Sequence, residues 1–106
     1  MNKVILLGYV GRDPEIRYIS SRQVATTSLA TTEPPRTLAN GTQVPERTEW
    51  HNLVMWDHLA ELAEKYIRKG TRIMCEGRLR TRTWEDRNAI KRTTTEIVVD
   101  HLELLR

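Results

Sequence analysis

From Thr71 to Trp84 the sequence alternates so regularly that two faces can be read from it directly. Successive side chains of an extended strand point to opposite sides. One side collects Arg72, Met74, Glu76, Arg78, Arg80, Arg82 and Trp84; the other collects Ile73, Cys75, Gly77, Leu79, Thr81 and Thr83. The second set suits a core. The first aligns four arginines with Glu76 as the one acid among them, a row that a polyanion would neutralise. Long charged side chains also cover ordinary solvated sheets, so the neighbouring aromatic residues matter to the reading.

Thr48 to Trp56 has the same alternation. Trp50, Asn52, Val54 and Trp56 share one face, and His51, Leu53 and Met55 the other. A single Trp is most often a core residue. This chain has three Trp, three Tyr and no Phe, and two of its tryptophans fall on one strand face. Such a face offers stacking surfaces to successive nucleobases, and every base has a π-face, so sequence tolerance follows. A duplex keeps its bases stacked inside, so aromatics combined with arginines favour a single strand. Trp50 and Trp84 are the leading stacking candidates and Trp56 the third. Arg72, Arg78, Arg80, Arg82, Arg87, Lys91 and Arg92 are the candidate phosphate ligands, with Arg22, Arg36 and Arg47 extending the track.

Other chemistry finds little support. His51, His58 and His101 fall in different elements, without the spacing of a triad or metal site, and Gly8-Tyr9-Val10-Gly11 lacks the length and Lys of a phosphate loop. His51, opposite Trp50, suits a core or interface position better than a catalytic base. Cys75 is the only cysteine, so no intramolecular disulfide and no zinc site are expected. No cofactor, no metal and no enzymatic activity are therefore expected. The longest early apolar run, Val4 to Leu7, is too short for a signal peptide or membrane span. Together these features point to a soluble cytoplasmic protein. Seventeen basic residues against fourteen acidic ones give a net charge of +3, a mild excess whose placement matters more than its total.

A length of 106 residues suits one domain, 1–106. Lys3 to Val10 is apolar on both faces, the pattern of a strand buried on two sides. Ile16 to Ile19 and Gln23 to Thr32 read as strands, the latter rich in Thr, Val and Ala. Glu33 to Arg47 carries Pro34, Pro35, Asn40-Gly41 and Pro45. It is either a projecting hairpin around a tight I′ turn at Asn40-Gly41 or a mobile excursion. Leu59, Leu62, Ala63, Tyr66 and Ile67 then recur at helical spacing, with Asp57 placed to cap the helix and Gly70 to stop it. Thr93 to Leu104 is the last strand. Many strands with one helix between the third and fourth main ones is the element order of an all-β OB-fold, a five-stranded Greek-key barrel.

Several segments in this order resemble the bacterial single-stranded DNA-binding protein family across essentially the whole chain. They are Asn2-Lys3-Val4-Ile5-Leu6, Asp13-Pro14-Glu15 with Arg17-Tyr18, Thr48-Glu49-Trp50-His51, and Ala60-Glu61 with Tyr66 and Arg68-Lys69-Gly70. Glu76 to Arg82, Trp84 and Thr95-Glu96 complete them. The resemblance implies an OB-fold homotetramer over which single-stranded DNA is wrapped in replication, recombination and repair, in the bacterial cytoplasm at the nucleoid. It implies that Trp50, Trp56 and Trp84 occupy base-stacking positions, that His51 lies at a subunit contact, and that Val4, Ile5, Leu6 and Leu7 belong to a strand buried by a neighbouring subunit. Pro34-Pro35 stand where many relatives have an aromatic, and Thr93 where Tyr is common. Relatives usually continue into an acidic tail that recruits other proteins; this sequence stops at Leu105-Arg106, as either a trimmed DNA-binding core or a tailless paralogue, so the resemblance predicts DNA binding but not tail-mediated recruitment. The alternatives are a dimeric primosomal replication protein of the same fold and a protein-interaction barrel whose arginines dock an acidic partner.

Overall fold

The computed structural model describes residues 1–105. Its elements are β1 (Val4–Val10), β2 (Glu15–Ile19), β3 (Arg22–Glu33), β4 (Arg36–Thr37), β5 (Gln43–Val44), β6 (Arg47–Trp56), α1 (His58–Tyr66), β7 (Arg72–Glu85) and β8 (Lys91–Leu105). Five strands form a closed ring in the order β1-β7-β8-β6-β3, and β3 returns to β1 through Tyr9↔Ala30 and Val10↔Leu29. Every pairing in the ring is antiparallel except β6 with β8, which is parallel. β2 lies against the first half of β3, on the edge that β1 leaves free. The helix connects the third barrel strand to the fourth, as expected for the OB-fold.

Closure buries an aliphatic core that includes Val10, Leu29, Leu53, Met55, Ile73, Ile97 and Val99. All three tryptophans lie outside it. Ala60, Ala63 and Ile67 seat α1 on the barrel, while Tyr66, expected on that stripe, is exposed. Small alanines allow close approach, and this rotates the buried stripe away from Tyr66. Asp57 stands at the N-cap, but its carboxylate makes no hydrogen bond to the helix amides. Gly70 takes φ +91 in the turn after the helix, which has already ended in extended backbone at Ile67.

Two double-stranded arms project from the barrel, consistent with overall dimensions of 56 × 39 × 29 Å. One is the outer half of β7 and β8. Up to Glu76 the pair is in one register; Asp100 is then bulged out, and Gly77 faces Val99. Beyond the bulge β7 is exposed from Arg78 onward. The other arm continues β3 and β6 to Glu33↔Arg47 and ends in the β4–β5 hairpin. Its turn is not the I′ turn expected at Asn40-Gly41. Only Gly41 is left-handed (φ +87), and Leu38 N–H donates to the Thr42 carbonyl at 2.8 Å, which gives a longer loop. A two-residue turn with both φ values positive occurs instead at Ser20 (φ 50) and Ser21 (φ 68), joining the paired Ile19 and Arg22.

Candidate nucleic-acid interface

On the outer side of β3 and β6, directly opposed residues share a face: Val24 with Trp56, Thr26 with Val54, Ser28 with Asn52, and Ala30 with Trp50. The β3 members are small, which leaves room above them. The first arm rises beside this surface, and the Asn52 amide donates to the Thr95 carbonyl of β8 at 3.5 Å. Between the two lies a groove of about 480 Å³. Its walls include Val24, Thr26, Val54 and Trp56 on one side and Arg80, Arg82, Thr94 and Glu96 on the other, with Arg12 and Arg17 also contributing.

The structure thus joins two patterns that the sequence shows separately. Trp56, Arg80 and Arg82 face one cavity. Trp50 is on the same face of β6 and is 62% exposed. Its indole lies over Gly11, where a Cβ would come within 2.3 Å of Cζ3. Trp84 follows Arg82 on the same face of β7 and is 42% exposed; its Nε1–H donates to Thr94 Oγ1 at 2.8 Å, which fixes the ring on the arm.

The arginine row differs from expectation in one respect. Glu76 pairs with Lys3 rather than with the arginines. The acids that meet the row come from β8. Glu96, only 5% exposed, accepts Arg80 Nη2 at 2.7 Å and Arg82 Nε at 3.4 Å, and Asp100 accepts Arg78 Nη1 at 2.6 Å. Mutual repulsion is therefore already relieved within the fold, and a phosphate is not needed for that purpose. Arg12 and Arg17 still leave the groove with four arginines against Glu96 alone among its walls, though Arg17 also pairs with Glu15 at its rim.

The remaining expected phosphate ligands are spread out. Arg87 is in the turn at the tip of the arm, and Lys91 pairs across from Glu85. Arg92 stands opposite Trp84 and donates to Asp86 at 2.9 Å. That hydrogen bond, with the Ile90 amide, holds the Asp86 carboxyl below the usual carboxylate range. Arg72 lies at the other end of β7, opposite Tyr9 and Leu105, about 26 Å of strand from Arg80. Shared parity put it on the same face, but not in the same place. Arg22 also departs from the proposed track: it covers the Trp56 ring and pairs with Asp57.

The four first-strand residues divide. Val4 and Leu6 pack against the core, while Ile5 and Leu7 are exposed on the outer side. The latter two have the most surface to offer a neighbour, while Val4 and Leu6 are partly buried. His51 is half-buried beside Leu29, with Nε2 2.8 Å from Thr31 Oγ1.

Sequence reasoning missed Gly11, Arg12, Arg17, Asn52 and Glu96 as parts of this region. Asn52 had a signal in its parity with the tryptophans, and Arg17 and Glu96 stood in the family-like segments without a role being read from them.

A profile of the single-strand binding protein family matches residues 1–105. The chain belongs to that family. A relative within it, the single-stranded DNA-binding protein of Bacteroides thetaiotaomicron, is 52% identical over 106 residues, which is 99% of this chain and 66% of the relative. This chain thus spans just under two thirds of that protein's length. Among solved structures, the Plasmodium falciparum SSB in complex with ssDNA superposes with a TM-score of 0.86 at 35% identity, covering 100% of this chain and 96% of the other. No helix among the described residues is long and apolar enough to cross a membrane.

Proposed function

We propose that this chain binds single-stranded DNA with little regard to sequence, by stacking bases on Trp50, Trp56 and Trp84 and neutralising phosphates with Arg80, Arg82 and their neighbours. The observation that carries this reading is the groove that brings Trp56 of β6 together with Arg80 and Arg82 of β7. An indole supplies a surface that any base can use, and guanidiniums supply charge for any backbone, so nothing in the pairing selects a sequence. Family membership and the ssDNA complex of the Plasmodium falciparum SSB support the same reading.

The activity is binding and protection of the strand, with no catalytic step. Replication, recombination and repair in the bacterial cytoplasm are where such binding serves a cell.

The assembly we propose is a homotetramer. β1 pairs with β7 from Val4 to Tyr9, but meets β3 only at Tyr9 and Val10, so one edge of its first half is open. Ile5 and Leu7 are exposed on that same segment. An open edge with apolar side chains favours a second copy of the chain. Sedimentation equilibrium combined with anisotropy titrations of labelled oligonucleotides tests both parts. Four chains per particle, and affinities within a few-fold across unrelated sequences, are expected. A stable dimer would favour the primosomal-type alternative, and binding restricted to one sequence would overturn the reading.

A further inference from the structure

The Arg22 guanidinium carbon lies 4.7 Å from the centroid of the Trp56 ring. Its Nε and Nη2 donate to the two carboxylate oxygens of Asp57, at 3.2 and 2.6 Å. Such a two-point pair fixes the plane of a guanidinium as well as its position. Asp57 reaches it from φ 55, ψ −116, a backbone region that side chains other than hydrogen strongly disfavour, and it forgoes capping α1. Two unfavourable features at Asp57 therefore converge on one outcome, a carboxylate aimed at Arg22.

Arg22 is also fixed from behind. It closes the Ser20–Ser21 hairpin opposite Ile19, and the next residue, Gln23, accepts the Asp57 N–H at its carbonyl at 2.8 Å. Trp56 lines the groove, whereas Arg22 is not among its walls. The indole thus meets both the groove and the guanidinium, while the guanidinium is not itself part of the groove wall.

We propose that Arg22 and Asp57 form a clasp that holds Trp56 as a stacking wall of the groove, with Arg22 acting as a positioning residue and not as a phosphate ligand. The inference rests on the single-stranded DNA reading and refines it. Trp56 then takes one base, on its groove side, within a guanidinium–indole–base stack. The charge of Arg22 is spent on Asp57 and does not enter the count of neutralised phosphates. The hydrogen bond from Arg22 also lowers the Asp57 carboxyl pKa, which keeps the clasp charged further into acid than an unpaired aspartate would be.

The test uses a parent carrying Trp50→Phe and Trp84→Phe, so that Trp56 alone emits. Acrylamide quenching of the free protein and a titration with oligothymidylate over a salt series are recorded for the parent, Arg22→Ala, Arg22→Lys, Asp57→Asn and Arg22→Ala/Asp57→Asn. Circular dichroism checks that each is folded. Removal of the clasp exposes the indole to acrylamide and weakens oligonucleotide binding about two- to fivefold, as for loss of an exposed cation–π contact. The amplitude of Trp56 quenching by DNA falls while the salt slope stays unchanged. Arg22→Lys, which keeps charge but not the planar fork, resembles Arg22→Ala, and the double variant adds nothing to Arg22→Ala. A salt slope shallower by about 0.7 with undiminished quenching would make Arg22 a phosphate ligand and overturn the proposal. So would unchanged acrylamide access in Arg22→Ala and Asp57→Asn. If the wild-type protein itself ignores DNA, the functional reading fails, while the acrylamide result still decides the clasp.

Discussion

Glu96 lies directly across the β7–β8 ladder from Arg80 and accepts its guanidinium at 2.7 Å. The same carboxylate accepts Arg82, so one buried acid organises two groove arginines that are themselves about half exposed. It also places a negative charge beside the proposed path of a polyanion. Glu96→Gln is expected to tighten binding of single-stranded DNA several-fold at low salt, since one charge at close range in a wet groove is worth about 1 kcal/mol. Stability should fall by about 1 kcal/mol, because the ion pairs are half solvated. Anisotropy titrations and urea melts measure the two effects. Weaker binding by the variant would show that ordering the arginines outweighs the charge.

Gly11 supports Trp50 by lacking a side chain, and its substitution separates stacking from folding. Gly11→Ala would push its Cβ against the exposed Trp50 indole and the Ser28 hydroxyl, two side-chain ends that must turn aside to admit it. Stability should change by less than about 1 kcal/mol, while DNA binding weakens toward the level of Trp50→Ala, a loss of about 1–3 kcal/mol. Thermal melting together with affinity measurement checks this, and full affinity in Gly11→Ala would remove Trp50 from the site.

Position along β7 distinguishes its arginines. Arg82→Gln should lower affinity and make the salt dependence shallower by about 0.7 in log–log slope, the value for one phosphate on a single strand. Arg72→Gln, at the far end of the strand, should leave that slope unchanged. Equal effects from both would mean that the bound strand extends well beyond the groove.

How much of this could be read from sequence depends on whether a feature is local. β7 contains no bulge of its own, so its alternation put Arg78, Arg80, Arg82 and Trp84 correctly on one face, as it did Trp50 and Trp56 on β6. The partner of that row was not readable. Asp100 shifts the register of β8 by one residue, and only this shift brings Glu96 opposite Arg80. Turn chemistry misled at Asn40-Gly41, where sequence preference was strongest, while the positive-φ pair fell on Ser20 and Ser21. There the registers of β2 and β3 dictate the connection and override local propensity. Asp57 looked like a cap because capping is decided by residue type and spacing. Its actual direction depends on Arg22, thirty-five positions earlier in the chain.

Burial pushes the Cys75 thiol up to about 11 from its ordinary 9.0. The folded state therefore keeps a proton that the unfolded chain releases. The associated stability is fully present below about pH 9 and is lost as the pH rises through 11, a change of about 2–3 kcal/mol. Denaturant melts between pH 8 and 11 should show this fall, and Cys75→Ala should flatten it. A thiol reagent at pH 8 should react with Cys75 only after unfolding; rapid reaction in the native state would contradict its burial.

The central claim is that tryptophans and arginines meet in one groove to hold a single strand. Tryptophan emission titrated with a mixed-sequence oligonucleotide, and separately with its duplex, over the same salt series tests it most directly. The account predicts deep quenching by the single strand, affinity that falls with salt by about 0.7 log units per phosphate neutralised, and little response to the duplex. Absence of quenching by the single strand, or equal quenching by both forms, would contradict it.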